Sequence, residues 1–135
     1  MYKTSELAER YKEKLITADE AAAQVQPGDR IHFGLGCGQV VDIDEALSLR
    51  ADELKDVTII STASLVDKPF KTYEATSSND QVRFASAHFG PADRHMSDAG
   101  RCAYLPMMFR ELPFYWTQNG NEIDIACFQV CPMDD

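Results

Sequence analysis

Apolar residues recur at two periods along this chain, and the switches between them predict an α/β domain. Leu7, Tyr11 and Leu15 lie one helical turn apart, which predicts an amphipathic helix from about Ser5 to Leu15 with Glu6 facing Arg10. Thr17-Ala18-Asp19-Glu20 has the form of a capping box for a short second helix, with Ala21, Ala22 and Val25 inward and Pro27-Gly28 ending it. Ile31 and Phe33 then alternate with other residues at strand spacing, and Ile43, Leu47 and Leu54 return to helical spacing. Lys55-Asp56 leads into the unbroken apolar run Val57 to Ile60, the pattern of a strand covered on both faces.

The second half continues the alternation. Lys68 to Asp80 is polar and punctuated, a loop around a short helix, and Val82 to Ala87 is a third strand. Asp93 to Ala99 predicts a short helix or turn, and Tyr104-Leu105 an extended path. Met107 to Leu112 predicts a helix that Pro113 kinks or ends. The cluster Phe114-Tyr115-Trp116 suits a core or subunit contact, Asn119-Gly120-Asn121 a turn, and Ile123 to Val130 the last strand. Strands alternating with helices at this spacing imply one α/β domain over residues 1–135, a single open, mostly parallel sheet flanked by helices.

Within that frame the stretch with most chemical content is Gly28 to Gly38. A strand there opens into three glycines at alternate positions, Gly34, Gly36 and Gly38, ahead of a helical pattern. Such a backbone can take φ > 0 and lie flat against a ligand, with its N–H groups and the following helix N-terminus facing an anion or oxyanion. A dinucleotide is not the expected ligand. The spacing is not G-x-G-x-x-G, and the strand Val57 to Thr62 ends in hydroxyls, with Asp67 too far along to hold a ribose. No Gly-Lys-Ser/Thr follows, so a P-loop is excluded as well.

Composition narrows the classes further. The chain has 135 residues, enough for one domain that buries about two-thirds of its unfolded surface. A net charge of -9 argues against nucleic-acid binding, and no apolar run approaches the roughly 20 residues a bilayer span requires. The first residues, Met1 to Glu6, lack a signal-peptide core, so a cytoplasmic protein with reduced thiols is expected. Cys127 and Cys131 have core-like spacing in a strand-like run, Cys102 is a further thiol, and Cys37 sits inside the glycine loop.

Other candidate chemistry is sparse. His88, His95 and Asp98 match no familiar metal site, and no metal is expected. No G-x-S-x-G elbow is present for a hydrolase triad. Ser61 and Ser64 lie at a strand end where open α/β sheets bind ligands, and Arg94 and Arg101 are candidates for a carboxylate or phosphate contact or for plain ion pairing.

Four ordered segments carry a family resemblance. These are Gly28-Asp29-Arg30 with Phe33 to Gly38 and Glu45-Ala46-Leu47; Arg50 to Val57; Gly100-Arg101-Cys102-Ala103-Tyr104-Leu105-Pro106; and Ile123 to Ala126 running on to Val130-Cys131-Pro132-Met133-Asp134. Together they resemble the N-terminal domain of the acetyl-CoA hydrolase/transferase family, whose members include CoA-transferases of the 4-hydroxybutyrate, butyrate and acetate type. Val40 departs from the family pattern, which usually has proline there. The resemblance implies a CoA-transferase-like N-terminal domain with acyl-CoA and small carboxylates as partners, coenzyme A as substrate, no separate cofactor, and a homo-oligomer. It places the catalytic glutamate in a C-terminal domain beyond Asp135, so no catalytic residue is expected in this chain, which is expected to be inactive alone. The chain's expected share is substrate binding by Gly34, Leu35, Gly36, Cys37, Gly38, Gln39 and Ser61, with Pro132 and Met133 at another edge. Acyl-CoA hydrolysis and a non-catalytic ligand-binding or interaction module are the alternative readings.

Overall fold

The structure, a computed structural model, describes residues 4–118 and 120–131. Helix α1 (Thr4–Lys14) leads to α2 (Ala18–Ala22), whose capping box is formed as expected. The Thr17 hydroxyl accepts from the Glu20 N–H at 3.1 Å, and the Thr17 N–H donates to Glu20 Oε2 at 2.8 Å. Strand β1 (Arg30–Leu35), α3 (Asp42–Ser48), β2 (Val57–Thr62), α4 (Lys71–Ala75), β3 (Val82–Ser86), α5 (Pro91–Asp98), β4 (Cys102–Tyr104), α6 (Leu112–Tyr115) and β5 (Ile125–Cys127) come next. The strands form one five-stranded sheet in the order β4-β3-β2-β1-β5, and every pairing is parallel.

Alternation along the strands divides the core. Ile31 and Phe33 of β1, Val57 and Ile59 of β2, and Val82 and Phe84 of β3 point to one face, where Ala22, Ala46, Leu47, Phe70 and Met96 cover them. Phe33 meets Phe70 edge-on at 5.5 Å, and Phe70 stacks on Phe84 at 6.1 Å. Each large side chain buried there contributes about 1.5–3 kcal/mol. His32, Thr58, Ile60 and Thr62 face the opposite side, toward α6. That division follows from chain topology. The steps β1–β2–β3–β4 run one way across the sheet and β4–β5 runs back, so right-handed connections fall on opposite faces.

Several sequence expectations are corrected. Pro113 does not end a helix begun at Met107. A 3₁₀ turn at Phe109–Glu111 precedes α6, and Pro113 stands in the first turn of α6, where its missing N–H has no helical partner to lose. The last strand is three residues long, not eight, and α3 stops at Ser48, so Leu54 reaches the core from the following turn. The stripe of α1 is uncovered, with Leu7, Tyr11 and Leu15 all exposed. No helix among the described residues is long and apolar enough to cross a membrane.

Candidate functional site

The site begins with an irregularity in β1. Arg30, Ile31 and His32 pair in step with Thr58, Ile59 and Ile60, but Leu35 pairs with Thr62, so β1 carries one extra residue between His32 and Leu35. Gly34 lies in that bulge with φ +65°, and a Cβ there would sit 2.2 Å from the Gly38 carbonyl oxygen. A bulge with left-handed glycine inverts the facing of the residues after it. Leu35, which strict alternation would send into the core, therefore turns to the side of His32 and Thr62.

Beyond the bulge the chain closes into a 3₁₀ turn at Gly36–Gly38, and neighbouring loops hold it. The Gln129 N–H, just past β5, donates to the Gly38 carbonyl at 2.9 Å. The Ser64 hydroxyl, just past β2, donates to Gln39 Oε1 at 2.8 Å, and both side chains are buried. Ala63 has φ +55°, uncommon for a residue with a Cβ, and its N–H donates to the His88 carbonyl at 3.0 Å. Gly90 packs so closely that a Cβ would meet the Ser64 carbonyl oxygen at 1.9 Å. Asp93, fully buried, accepts from Gly90 N–H at 2.8 Å and from the Ser61 hydroxyl at 3.0 Å. Burial raises its pKa, while these donors, with Ser86 and Arg94, pull it back. The loops after β1, β2, β3 and β5 thus converge on the carboxyl edge of the sheet, where ligands of open α/β domains bind.

The turn forms a ridge between two hollows. On the α6 side, Leu35 and Thr62 open onto a cleft of about 430 Å³ with His32, Phe109, Leu112, Trp116 and Phe128. His32 is buried there, 3.3 Å from Thr62 Oγ1 and 4.4 Å from the Trp116 ring, and desolvation lowers its pKa. On the other side Gln39, Val40 and Val41 line a hollow of about 310 Å³ with Val66, Lys68 and Lys71. Leu35 and Gln39 thus serve different hollows, and Gly36, Cys37 and Gly38 between them line neither.

Not every predicted residue takes the role its position suggested. Ser61 faces α5 and is bound to Asp93, away from both hollows. The glycine turn does not run straight into a helix N-terminus. Gln39 to Val41 intervene, and the first turn of α3 already carries Asp42, Asp44 and Glu45. Asp44 is buried and accepts from Lys71 N–H at 2.7 Å, Thr72 N–H at 3.0 Å and the Thr72 hydroxyl at 2.7 Å, so it holds the start of α4. Arg101 lies over the Tyr73 ring at 4.7 Å and donates to the Tyr73 carbonyl and the Thr76 hydroxyl. Its role is to close the end of α4, not to face a ligand. Cys37 and Cys131 are exposed, whereas burial pushes the Cys102 thiol up to about 12 and also raises Cys127. Gln39 has φ -66° and ψ 131°, the extended geometry that a following proline requires, so the residue before Val40 is compatible with the family's proline there. Pro132 and Met133 lie outside the described residues.

His32, Thr62, Asp44 and Asp93 were not legible as site or scaffold residues from sequence, and Trp116 was legible only as part of an aromatic cluster suited to a core or subunit contact. A signal for the cleft did exist: Gly34 interrupts the alternation of β1, a mark of a bulge.

An open, all-parallel sheet with a locked glycine turn on its carboxyl edge is an α/β domain of CoA-transferase-like architecture. RipA from Yersinia pestis shares the fold, with a TM-score of 0.72 and 23% identity over 94% of this chain and 31% of that one. The chain is 33% identical over 127 residues to the butyryl-CoA:acetate CoA-transferase of Anaerostipes caccae, covering 94% of this chain and 28% of the relative. It is 37% identical over 128 residues to the "Probable butyrate:acetyl-CoA coenzyme A-transferase" of Syntrophomonas wolfei, covering 95% and 28%. Residues 1–135 match the acetyl-CoA hydrolase/transferase N-terminal domain, and the chain belongs to that family. It spans about 28% of the length of these two curated relatives.

Proposed function

We propose that this chain forms the N-terminal, pocket-shaping part of an acyl-CoA:carboxylate CoA-transferase that uses small carboxylates of the acetate, butyrate and 4-hydroxybutyrate class. The observation that carries the reading is the bulge at Gly34, which turns Leu35 out of the core and onto the carboxyl edge. The family membership and the names of the relatives support the reaction class. The second domain supplies the glutamate. Its carboxylate oxygen attacks the thioester carbonyl carbon and expels CoA thiolate, giving a mixed anhydride. The thiolate returns to the glutamyl carbonyl to form a glutamyl-CoA thioester and frees the first carboxylate. A second carboxylate then takes the CoA by the reverse of these steps.

In that scheme the turn Gly34 to Gln39 walls the acyl and carboxylate groups opposite the glutamate. The turn's value is rigidity. It is held by Ser64 through Gln39 and by Gln129 through Gly38, so reacting groups meet a wall that does not reorganise. Leu35 is the wall residue that sets acyl size. In a transfer-competent polypeptide containing this domain, Leu35→Ala should shift kcat/KM toward longer or bulkier carboxylates by about tenfold. Because Leu35 is exposed, thermal stability should hardly move. An equal change for acetate, butyrate and 4-hydroxybutyrate would remove Leu35 from the pocket.

A further inference from the structure

Strand register sets three residues level at the carboxyl edge. Leu35 pairs with Thr62, and Ser61 with Ser86, so Thr62 stands level with Ala87. The line they form crosses β1, β2 and β3, with Leu35 at one end and His88, one residue past Ala87, at the other. Two strand spacings make it about 10 Å long. A third hollow, of about 130 Å³, lies along this line, with Leu35, Thr62, Ala63 and His88 in its lining beside Met107 and Phe109. At about 30 Å³ for each water of the liquid, it has the room of about four waters, enough for one short acyl chain. Thr62 and His88 bring the hydrogen-bonding side chains of that lining, and they differ. Thr62 is buried, and its Oγ1 lies 3.3 Å from the His32 ring. His88 is exposed, and its ring forms no hydrogen bond among the described residues. Its backbone, by contrast, is fixed. The His88 carbonyl accepts from the Ala63 N–H at 3.0 Å and from the Ser86 hydroxyl at 3.1 Å. Ala63 makes that contact at φ +55°, and backbone strain of this kind gathers at binding sites.

We infer that His88 reads the far end of the acyl group, hydrogen-bonding an oxygen on the terminal carbon of a four-carbon chain, a hydroxyl or a second carboxylate. The inference rests on the transferase reading above, which puts the reacting carboxyl group at the glycine turn, across the sheet from His88. One ring nitrogen of a neutral imidazole always carries a proton to donate. An acetyl group does not span the line. A butyryl group brings a methyl to the ring and displaces its water without replacing the hydrogen bond, whereas a terminal oxygen restores it. A site built this way discriminates against the analogue that lacks the oxygen.

The test measures kcat/KM for 4-hydroxybutyrate, succinate and butyrate in a transfer-competent polypeptide containing this domain. His88→Leu should lower the 4-hydroxybutyrate-to-butyrate and succinate-to-butyrate ratios about tenfold. His88→Gln keeps a donor and should recover part of the loss. Because the ring is exposed and both variants keep the His88 carbonyl, melting temperatures should hardly move. A fall confined to one of the two oxygenated substrates supports the inference and names the terminal group as hydroxyl or carboxylate. An equal change for all three substrates overturns it. Absence of CoA transfer altogether is a failure of the proposed reaction, and recognition is then read from this chain by NMR. The His88 ring signals, assigned by their loss in His88→Leu, should shift saturably with 4-hydroxybutyrate or succinate and not with butyrate at the same concentration. Equal shifts with butyrate, or no shift with any of the three, overturn the inference.

Discussion

Gly34 and Gly36 both have positive φ, yet their surroundings differ, and so should the cost of a side chain. At Gly34 a Cβ would strike the Gly38 carbonyl at 2.2 Å, while at Gly36 the nearest atom is Leu65 Cδ1 at 3.7 Å. Gly36→Ala should therefore cost only the left-handed backbone penalty, about 1–2 kcal/mol. Gly34→Ala should cost about 2–4 kcal/mol, since the backbone must also move. Urea midpoints of the two variants check the ranking, and equal midpoints would contradict it. The same scale holds a pH prediction. Desolvation lowers the folded pKa of His32 below its ordinary value of 6.5, so the unfolded chain binds its proton first. Stability should fall as pH drops through 6.5 toward the folded pKa, and His32→Phe should flatten melting temperature against pH in that window. Asp44 and Asp93 have folded pKa values raised from 3.8, chiefly by burial, so each adds stability as pH falls toward 3.8. The His32 contribution has the opposite sign.

Between elements the decisive contacts are side chains that hold the backbone of another segment. Asp44 of α3 satisfies the first N–H groups of α4, whose own N-cap residue, Phe70, offers no side-chain oxygen. Asp44→Ala strands those donors and should lower stability by about 2–4 kcal/mol, with Asp44→Asn milder because one acceptor remains. Calorimetry of both variants is the check, and a neutral Asp44→Ala would deny the linkage. Contacts of this kind explain which parts of the fold were legible in sequence. Helix and strand periods revealed the parallel α/β sheet, because burial of Ile31, Leu47 and Ile59 depends on spacing alone. The capping box at Thr17 was legible because both partners lie within one turn. The Asp93–Ser61 bond and the cleft over His32 depend on neighbours 30 or more residues away, and no local pattern announces them; at Gly34 only the break in alternation is local, and the register that makes it a bulge is not. The glycine turn is legible in sequence as a break in the strand, but the direction of Leu35 requires the register of β1 against β2.

For the whole molecule, the distribution of exposed apolar surface matters more than the net charge of -9. Phe109, Phe114, Phe128 and Val130 are all more than half exposed, and they cluster in sequence around α6 and the chain leaving β5. In the proposed transferase this is the surface a second domain would cover. The carboxyl edge with its glycine turn adjoins the same cleft, so in the proposed transferase covering that face and completing the site are linked. CoA transfer from acetyl-CoA to butyrate tests that link most directly. It is measured for this chain alone and for a polypeptide in which the chain replaces the matching 28% of the Anaerostipes caccae relative. Butyryl-CoA is expected from the composite polypeptide and none from the 135-residue chain. Turnover by the chain alone, lost on replacing one of its own glutamates, would contradict a catalytic site completed by a second domain.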